Sequence, residues 1–276
     1  MAVVSYRAIL DGAEPRRIPV GTATLWHVPA AGVAGPAPAL VWIHGGAWRG
    51  GDANVFWPHA RYFASRGLAS FSIGYRRVAV GGTTVDAALE DTRTALAHLL
   101  DHAAALGVDP TRVAVAGDSA GGHLAACLAA LPAATRHPAA LVLCNPITDA
   151  TEDPWPATAL GVAIPEGQPA PAATPEQRRQ AEGFSPIHRV QAPHPPTLLL
   201  HGDVDAIVPC AQSLRYAERL RALGTEVDLD ILPGARHAFV VPRWKTPEEQ
   251  VVDHWRRIDA WLARRGWLTG PPTLVL

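Results

Sequence analysis

A serine lies in the middle of a short glycine-rich segment between a predicted strand and a predicted helix. Ser119 has Gly117 two positions before it and Gly121 two positions after it, and the segment directly follows the apolar run 112–116. A nucleophilic serine on a tight, strained strand-to-helix turn needs such neighbours, because larger side chains would collide there. The start of the helix also directs backbone N–H groups at developing negative charge. The pattern therefore predicts Ser119 as a nucleophile.

A second glycine pair follows an earlier apolar strand. Gly45 and Gly46 come directly after His44 in this segment. Unhindered glycine amides at a strand end can point at the oxyanion of a tetrahedral intermediate, together with the N–H of the residue after the nucleophile, here Ala120. We therefore predict the backbone amides of Gly45, Gly46 and Ala120 as an oxyanion hole. His44 is predicted to position this loop and not to act as a base.

Two aspartates and a histidine near later strand ends can complete a catalytic triad. Asp203 and Asp205 follow a buried strand, and either carboxylate can hold a histidine in its reactive tautomer. We favour Asp205, because the loop reaches further towards the nucleophile there, and assign Asp203 to a turn or cap. His237 follows the next strand and is the predicted base, whereas His254 falls within a predicted helix. The order serine, aspartate, histidine differs from that of the two common serine-protease folds.

Residues beside these motifs are candidates for the wall of a substrate pocket. Trp48 and Arg49 follow the glycine pair and Asp118 precedes the nucleophile, so we predict them as pocket residues. For Trp48 and Arg49, simple packing is the alternative. A metal site is not predicted. His98 and His102 are four positions apart on a predicted helix, but the residues between them lack the glutamate of the zinc-protease motif. Because no dinucleotide or phosphate-binding loop occurs either, we expect no cofactor.

Short apolar runs alternate with longer segments rich in alanine and leucine, which is the pattern of βα units around a mostly parallel sheet. The predicted strands are 21–28, 39–44, 69–75, 112–116, 139–144, 197–201 and 226–232. The predicted helices are 55–66, 84–106, 119–131, 210–223 and 247–265. Several strands are apolar at nearly every position, so we expect helices on both faces of the sheet.

One stretch departs from this alternation. Residues 148–181 contain six prolines and few aliphatic side chains. Because β/α units continue on both sides, we predict a single domain of residues 1–276 with a cap insertion at 148–185 over one end of the sheet. A solvated or disordered loop is the alternative. The tail 270–276 is predicted to be peripheral.

Composition excludes several classes of partner. The 24 basic and 25 acidic residues give a net charge of −1, so no nucleic-acid or anionic-membrane surface is expected. No stretch approaches the roughly 20 apolar residues of a membrane span, and no signal peptide is evident. The three cysteines are widely spaced and predict no disulfide framework. We expect a cytoplasmic protein that acts on small, neutral molecules, with a homodimer as an open alternative.

The motifs in this order resemble the hormone-sensitive-lipase-like bacterial carboxylesterases. The segments that carry the resemblance are HGGAW at 44–48, GDSAGGHLA at 117–125, HGDVDAIVP at 201–209 and GARHAF at 234–239. The resemblance implies the α/β-hydrolase fold, a triad of Ser119, Asp205 and His237, and no cofactor. The sequence departs from the family pattern at Ala47, where a third glycine is common. The N-terminal region is also shorter than the helical cap of larger members.

The motifs and the resemblance together predict a serine carboxylesterase. The expected reaction is hydrolysis of short-chain esters through an acyl-enzyme on Ser119. An arylformamidase-like or other amide hydrolase with the same triad is one alternative. A non-catalytic ligand-binding protein on this fold is another, although such a protein would be expected to lack a triad member.

Overall fold

The computed structural model describes residues 3–130 and 137–276. Within these residues the strands are β1 (Val4–Ser5), β2 (Arg16–Val20), β3 (Ala23–Val28), β4 (Ala37–Ile43), β5 (Ala69–Gly74), β6 (Val108–Asp118), β7 (Ala140–Cys144), β8 (Thr197–Gly202), β9 (Val227–Leu232) and β10 (Leu274–Val275). The helices are α1 (Tyr6–Leu10), α2 (Trp57–Ser65), α3 (Val85–Asp101), α4 (Ala120–Ala130), α5 (Trp155–Ala159), α6 (Pro175–Phe184), α7 (Pro186–Arg189), α8 (Ala211–Ala222) and α9 (Glu248–Arg264).

The central sheet of the described residues has eight strands in the order β2-β3-β5-β4-β6-β7-β8-β9. The pairs β2–β3 and β3–β5 are antiparallel, and every other neighbouring pair is parallel. The parallel strands β4 and β7 are buried along their whole length. Strands of this kind need cover on both faces of the sheet. The predicted mostly parallel α/β sheet is therefore confirmed.

Successive side chains of β4 divide between two apolar clusters, because side chains alternate across a strand. Val41 and Ile43 belong to the cluster that contains the buried residues of α3, α4 and α8. Leu40 and Trp42 belong to the cluster that contains those of α2 and α9. Helices thus cover both faces, as predicted.

The N-terminal edge of the sheet differs from the prediction. The predicted strand 21–28 begins only at Ala23, because Gly21, at φ +59°, lies in the turn between β2 and β3. The sequence pattern did not predict β2. Its residues are mostly exposed and include Pro19, which a strand tolerates at the edge of a sheet because that position needs no donor on the outer side.

Two predicted segment ends differ from the structure, and a third lies outside the described residues. Helix α3 ends at Asp101 and not at residue 106, because a tight turn follows in which the Val108 amide donates to the carbonyl of Ala103 over 2.8 Å. Leu131, the predicted end of α4, lies outside the described residues. The tail is not simply peripheral, since β10 pairs in parallel with β1 and Leu274 is buried.

Residues 148–185, called the insertion below, contain α5 and α6. A capping box begins α6, with the Gln177 amide donating to Thr174 Oγ1 over 3.2 Å and the Thr174 amide donating to Gln177 Oε1 over 2.9 Å. At the start of the insertion, the Thr148 amide donates to Gln212 Oε1 over 2.8 Å. Among the described residues, none of the helices combines the length and apolar character needed to cross a membrane.

Candidate active site

Ser119 lies on a tight turn between β6 and α4, with its backbone in the left-handed region at φ +54°. Such a conformation costs a non-glycine residue roughly 1–3 kcal/mol. The flanking glycines permit it. A Cβ on Gly117 would stand 2.3 Å from the carbonyl oxygen of Gly121, and a Cβ on Gly121 would stand 2.0 Å from that of Ile43. Neither position can therefore carry a side chain while the backbone keeps this path.

The three residues predicted as a triad are in hydrogen-bond contact. The distance from His237 Nε2 to Ser119 Oγ is 3.0 Å, and that from His237 Nδ1 to Asp205 Oδ2 is 2.7 Å. Each residue follows the carboxyl end of a different strand, namely β6, β8 and β9. Because these strands are parallel members of one sheet, their carboxyl ends meet at the same edge, which brings the three side chains together.

The hydrogen bonds of Asp205 fix its orientation. Oδ1 accepts from the amides of Ile207 over 2.8 Å and Val208 over 3.0 Å. Oδ2 faces His237 and also lies 3.4 Å from Nε2 of His201. An ionised carboxylate is only an acceptor, so His237 presents its Nδ1–H to it and leaves Nε2 free to accept the Ser119 proton. This is the tautomer that a general base needs.

Charge around the site favours an ionised aspartate and a basic histidine. Burial raises the pKa of Asp205, but hydrogen bonds from His201, His237 and the Val208 amide, with the charge of His237, outweigh it and leave the pKa well below its ordinary value. Burial lowers the pKa of His237, but the hydrogen bond to Asp205 and the charges of Asp118 and Asp205 give a net rise. The pair can therefore stabilise an imidazolium next to Ser119.

His201 is a contact of Asp205 that the sequence pattern did not reveal. Its side chain is fully buried, with Nδ1 2.7 Å from Ser213 Oγ and Nε2 2.9 Å from the Val208 carbonyl. The alternative acid, Asp203, instead accepts from the Gly234 amide over 2.7 Å and does not contact the histidine. The sequence indicated His201 only by its place at the end of β8 and at the start of the segment 201–209 that carries the resemblance.

The segment of residues 44–51, called the glycine loop below, lies directly beside Ser119. A Cβ on Gly45 would stand 3.1 Å from Cβ of Ser119 and 2.8 Å from the carbonyl oxygen of Asp118. The backbone amides of Gly45, Gly46 and Ala120 donate none of the loop and turn hydrogen bonds found in the described chain. These three amides are therefore available to an oxygen atom bound next to Ser119 Oγ.

His44 and Tyr75 support the start of the glycine loop. Their rings stack with centroids 4.2 Å apart, and the Tyr75 hydroxyl donates to the His44 carbonyl over 2.8 Å. Nδ1 of His44 lies 2.8 Å from the Gly45 carbonyl and so carries a proton directed at it. Burial lowers the pKa of His44, against smaller raising effects of this hydrogen bond and of Asp52. His44 is thus a neutral part of the loop framework.

A cavity of about 360 Å³ opens above Ser119. Asp118 lies in its wall, as predicted from its position, and Oδ1 of this residue accepts from Asn145 Nδ2 over 2.9 Å. The other residues that line the cavity are mostly apolar or small: His44, Gly45, Gly46, Ala47, Gly51, Val55, Ser119, Trp155, Ile207, His237, Ala238, Val241 and Trp244. A neutral, apolar group fits these walls better than a charged one.

Trp48 was wrongly predicted to line this pocket. Its side chain is fully buried beneath the glycine loop and does not reach the cavity. The indole N–H donates to Nδ1 of His123 over 3.2 Å, and the ring packs edge-on against Trp155 with centroids 6.0 Å apart. The tryptophans that do line the cavity are Trp155, the first residue of α5, and Trp244, in the loop before α9. Both are far from Trp48 in the sequence.

The described residues contain no group of three or more His, Cys, Asp or Glu side chains that could hold a metal ion. The rings of His98 and His102 stack on each other with centroids 4.0 Å apart.

A mostly parallel sheet with a strained serine turn, an acid and a histidine at the carboxyl ends of three strands defines the class of α/β-hydrolases. The comparison with protein families agrees: the model described as "alpha/beta hydrolase fold" matches residues 40–241. The chain belongs to this family, and the resemblance found in its motifs is confirmed.

Several esterases are similar to the chain. Esterase LipC of Mycobacterium tuberculosis is 33% identical over 217 residues, which cover 74% of this chain and 53% of LipC. The ethyl acetate hydrolase of Pseudomonas putida is 31% identical, over 73% of this chain and 66% of that protein. Thermogutta terrifontis esterase 2 phosphorylated by paraoxon has a TM-score of 0.76 at 26% identity, covering 95% of this chain and 97% of that one. The chain spans about half the length of LipC.

Proposed function

We propose that the protein is a serine carboxylesterase that hydrolyses short-chain carboxylic esters. The observation that carries this proposal is the hydrogen-bonded chain from Ser119 Oγ through His237 to Asp205, at the base of an apolar cavity. The relatives named as esterases support it. In this proposal Ser119 is the nucleophile, His237 the general base and Asp205 the residue that orients and charges the histidine.

The first half of the reaction forms an acyl-enzyme. Ser119 Oγ attacks the ester carbonyl carbon while its proton passes to His237 Nε2. The carbonyl oxygen takes on negative charge, which the amides of Gly45, Gly46 and Ala120 stabilise; one such donor is worth roughly 3 kcal/mol in the transition state. His237 then returns its proton to the leaving alkoxy oxygen, and the alcohol departs.

The second half releases the acid. A water molecule attacks the acyl carbonyl carbon and gives its proton to His237 Nε2, and the same amides stabilise the second oxyanion. The collapse of this intermediate breaks the bond to Ser119 Oγ, which recovers its proton from His237. No step requires a redox change or an added cofactor.

Two features support a preference for short acyl chains. The cavity of about 360 Å³ is at the lower end of the volumes common for small-molecule sites. One relative is named as an ethyl acetate hydrolase. We further propose that residues 148–185 form the cap of this single-domain enzyme, since Trp155 of the insertion lines the cavity.

Hydrolysis of p-nitrophenyl acetate, butyrate, octanoate and palmitate tests the proposal, with Ser119→Ala as the matched variant. We expect turnover of the acetate and butyrate, little with the palmitate, and loss of activity in Ser119→Ala. Paraoxon should inactivate the wild type and add one phosphoryl group by mass, with no adduct on Ser119→Ala. Activity retained by the variant would exclude Ser119 as the nucleophile. A wild type that ignored all four esters but cleaved formamides would replace the esterase with an amide hydrolase.

Two further proposals concern the protein as a whole. We propose a cytoplasmic location, to which the three unpaired cysteines are suited.

We also propose a homodimer through β9, which lies at the edge of the sheet and is only half-buried over most of its length. Sedimentation velocity distinguishes a monomer from a dimer, and a monomer at every protein concentration would exclude the proposed homodimer.

A further inference from the structure

Three successive residues of the glycine loop have left-handed backbone conformations. Gly46 has φ +106°, Ala47 φ +52° and Trp48 φ +59°. Glycine adopts such angles freely, but alanine and tryptophan do so only where surrounding contacts impose them. The loop that presents the amides of Gly45 and Gly46 to Ser119 is therefore held in place by contacts outside itself.

Arg49 provides the first of these contacts. Its guanidinium donates to three carbonyls of the insertion, at the end of α5 and just after it: Nε to Thr158 over 3.0 Å, and Nη2 to Ala157 over 3.1 Å and to Val162 over 2.7 Å. Within the described chain Arg49 forms no ion pair, so its planar fork serves only these backbone oxygens. The glycine loop is thereby fixed to the first helix of the insertion.

Trp48 and His123 provide the second contact. The indole N–H of Trp48 can only donate, so Nδ1 of His123, 3.2 Å away, is the acceptor. Nε2 of His123 then carries the proton and donates to the Phe184 carbonyl over 2.8 Å, at the end of α6. Both side chains are fully buried. Burial lowers the pKa of His123 to about 4, although the hydrogen bond to the Phe184 carbonyl has a smaller raising effect. The low pKa keeps the ring neutral.

We propose that the insertion holds the glycine loop in its strained form, with Trp48, Arg49 and His123 as the positioning residues. The inference rests on the proposed esterase function and deepens it. On this view the insertion does more than cover the cavity. Its α5 and α6 ends fix two neighbouring side chains of the loop and so keep the amides of Gly45 and Gly46 directed at the oxyanion.

Arg49→Met tests this role, because it removes the donors and keeps most of the apolar stem. The matched control is Arg61→Met. Arg61 also donates to three backbone carbonyls, those of Ala13 over 3.0 Å, Ile9 over 2.8 Å and Leu10 over 3.2 Å, but it joins α2 to α1 away from the cavity. Both variants lose three hydrogen bonds of the same kind, so a difference between them reports on the glycine loop.

We expect Arg49→Met to lower kcat for p-nitrophenyl butyrate roughly 10- to 100-fold with KM changed less than about twofold, since the loss falls on the oxyanion and not on substrate binding. A short trifluoromethyl ketone, whose adduct with Ser119 carries an oxyanion, should lose affinity by a similar factor. Arg49→Lys, which keeps the charge and one donor group, should recover part of kcat. Arg61→Met should keep the wild-type kcat.

Hydrogen–deuterium exchange reports on the glycine loop without relying on esterase activity. We expect amides of residues 44–52 to exchange at least about tenfold faster in Arg49→Met than in the wild type and Arg61→Met. If Arg49→Met does not fold, Trp48→Phe, which removes the indole N–H, serves in both assays. Equal kcat and equal exchange in the two methionine variants would overturn the proposal. A wild type without esterase activity would contradict the proposed function alone, because the exchange comparison would still decide the role of Arg49.

Discussion

The carboxylate of Asp203 accepts a hydrogen bond from the backbone amide of Gly234 over 2.7 Å. This contact joins the loop that carries Asp205 to the loop that carries His237, three residues after Gly234. The two aspartates of this loop therefore have different partners. Asp203 holds the backbone of the loop that carries His237, and Asp205 holds the imidazole ring of His237. Each can be removed separately.

Substitution of the two aspartates should have unequal effects on catalysis. We expect Asp205→Asn to lower kcat roughly 10³- to 10⁴-fold, because an amide donor facing His237 Nδ1 favours the wrong tautomer. Asp203→Asn should lower kcat by less than about tenfold, because it weakens only one hydrogen bond to the loop backbone. Steady-state rates with p-nitrophenyl butyrate measure both. The reverse order would assign the acid of the triad to Asp203.

The pH dependence of kcat/KM should report the titration of His237. The pKa of this residue is raised above its ordinary value of 6.5, with burial opposed by the hydrogen bond to Asp205 and by the charges of Asp118 and Asp205. A general base acts in its neutral form, so activity is complete above that pKa and falls as the pH drops through it. We expect a midpoint above 6.5 in the wild type.

The shift itself can be tested in a variant. In Asp205→Asn the residual activity should have a midpoint at lower pH than in the wild type, because His237 loses its hydrogen bond to a carboxylate and one nearby negative charge. Rate profiles between about pH 5 and 9 are sufficient for the comparison. An unchanged midpoint would mean that another group controls the acid limb.

A buried ion pair that does not line the cavity should affect the stability of the fold and not catalysis. Arg66 donates to both oxygens of Asp259, over 2.6 and 2.9 Å, and the Tyr62 hydroxyl bonds to the same carboxylate. Both charged side chains have no exposed surface. Asp259→Ala should lower the free energy of unfolding by about 3–5 kcal/mol, because it leaves a buried guanidinium without its counter-charge.

Urea denaturation measures this loss, and an exposed ion pair provides the control. Arg243 lies 2.8 Å from Asp11, with 60% and 73% of the two side chains exposed. Asp11→Ala should change the free energy of unfolding by less than about 1 kcal/mol. Equal effects of the two substitutions would show that the buried pair contributes no more than a surface pair does.

Gly121 should not tolerate even one extra carbon atom. A Cβ at this position would stand 2.0 Å from the carbonyl oxygen of Ile43 and 2.6 Å from that of His44. Gly121→Ala is therefore expected to lower the free energy of unfolding by at least about 2 kcal/mol and to lower kcat, because the glycine loop or the serine turn must move. Thermal denaturation and esterase rates test both effects.

Gly183 is the matched control for this substitution. It lies near the end of α6, and an added Cβ would have no heavy atom within 4 Å apart from its chain neighbours and the backbone of its own helix. Gly183→Ala should be neutral or raise stability by up to about 1 kcal/mol, since alanine favours a helix more than glycine does. If both variants behave alike, close packing at the serine turn is not what requires glycine.

Local patterns were sufficient to predict the architecture and the residues that meet in the site. Apolar strands, amphipathic helices and turn glycines are properties of short segments, and Ser119, Asp205 and His237 each follow a strand end. What the pattern missed depends on contacts between distant segments. Trp48 looked like a pocket residue beside the glycine pair, but its packing against Trp155 and His123 turns it into the interior.

The same limit applies to helix and strand ends and to supporting polar groups. Strand β2 has no apolar repeat of its own, and its partner β3 determines that it forms. The bonds from Arg49 span more than 100 residues, between the glycine loop and the insertion. A single sequence does not contain these pairings in any local pattern.

The rim of the cavity and the core of the protein draw on different residues. Ile207 and Trp244 line the cavity mouth but remain 56% and 60% exposed, and neither belongs to the apolar clusters that cover the sheet. Replacing them removes little buried surface. Substitutions at these two positions can therefore change which esters the proposed esterase admits while the scaffold keeps its stability.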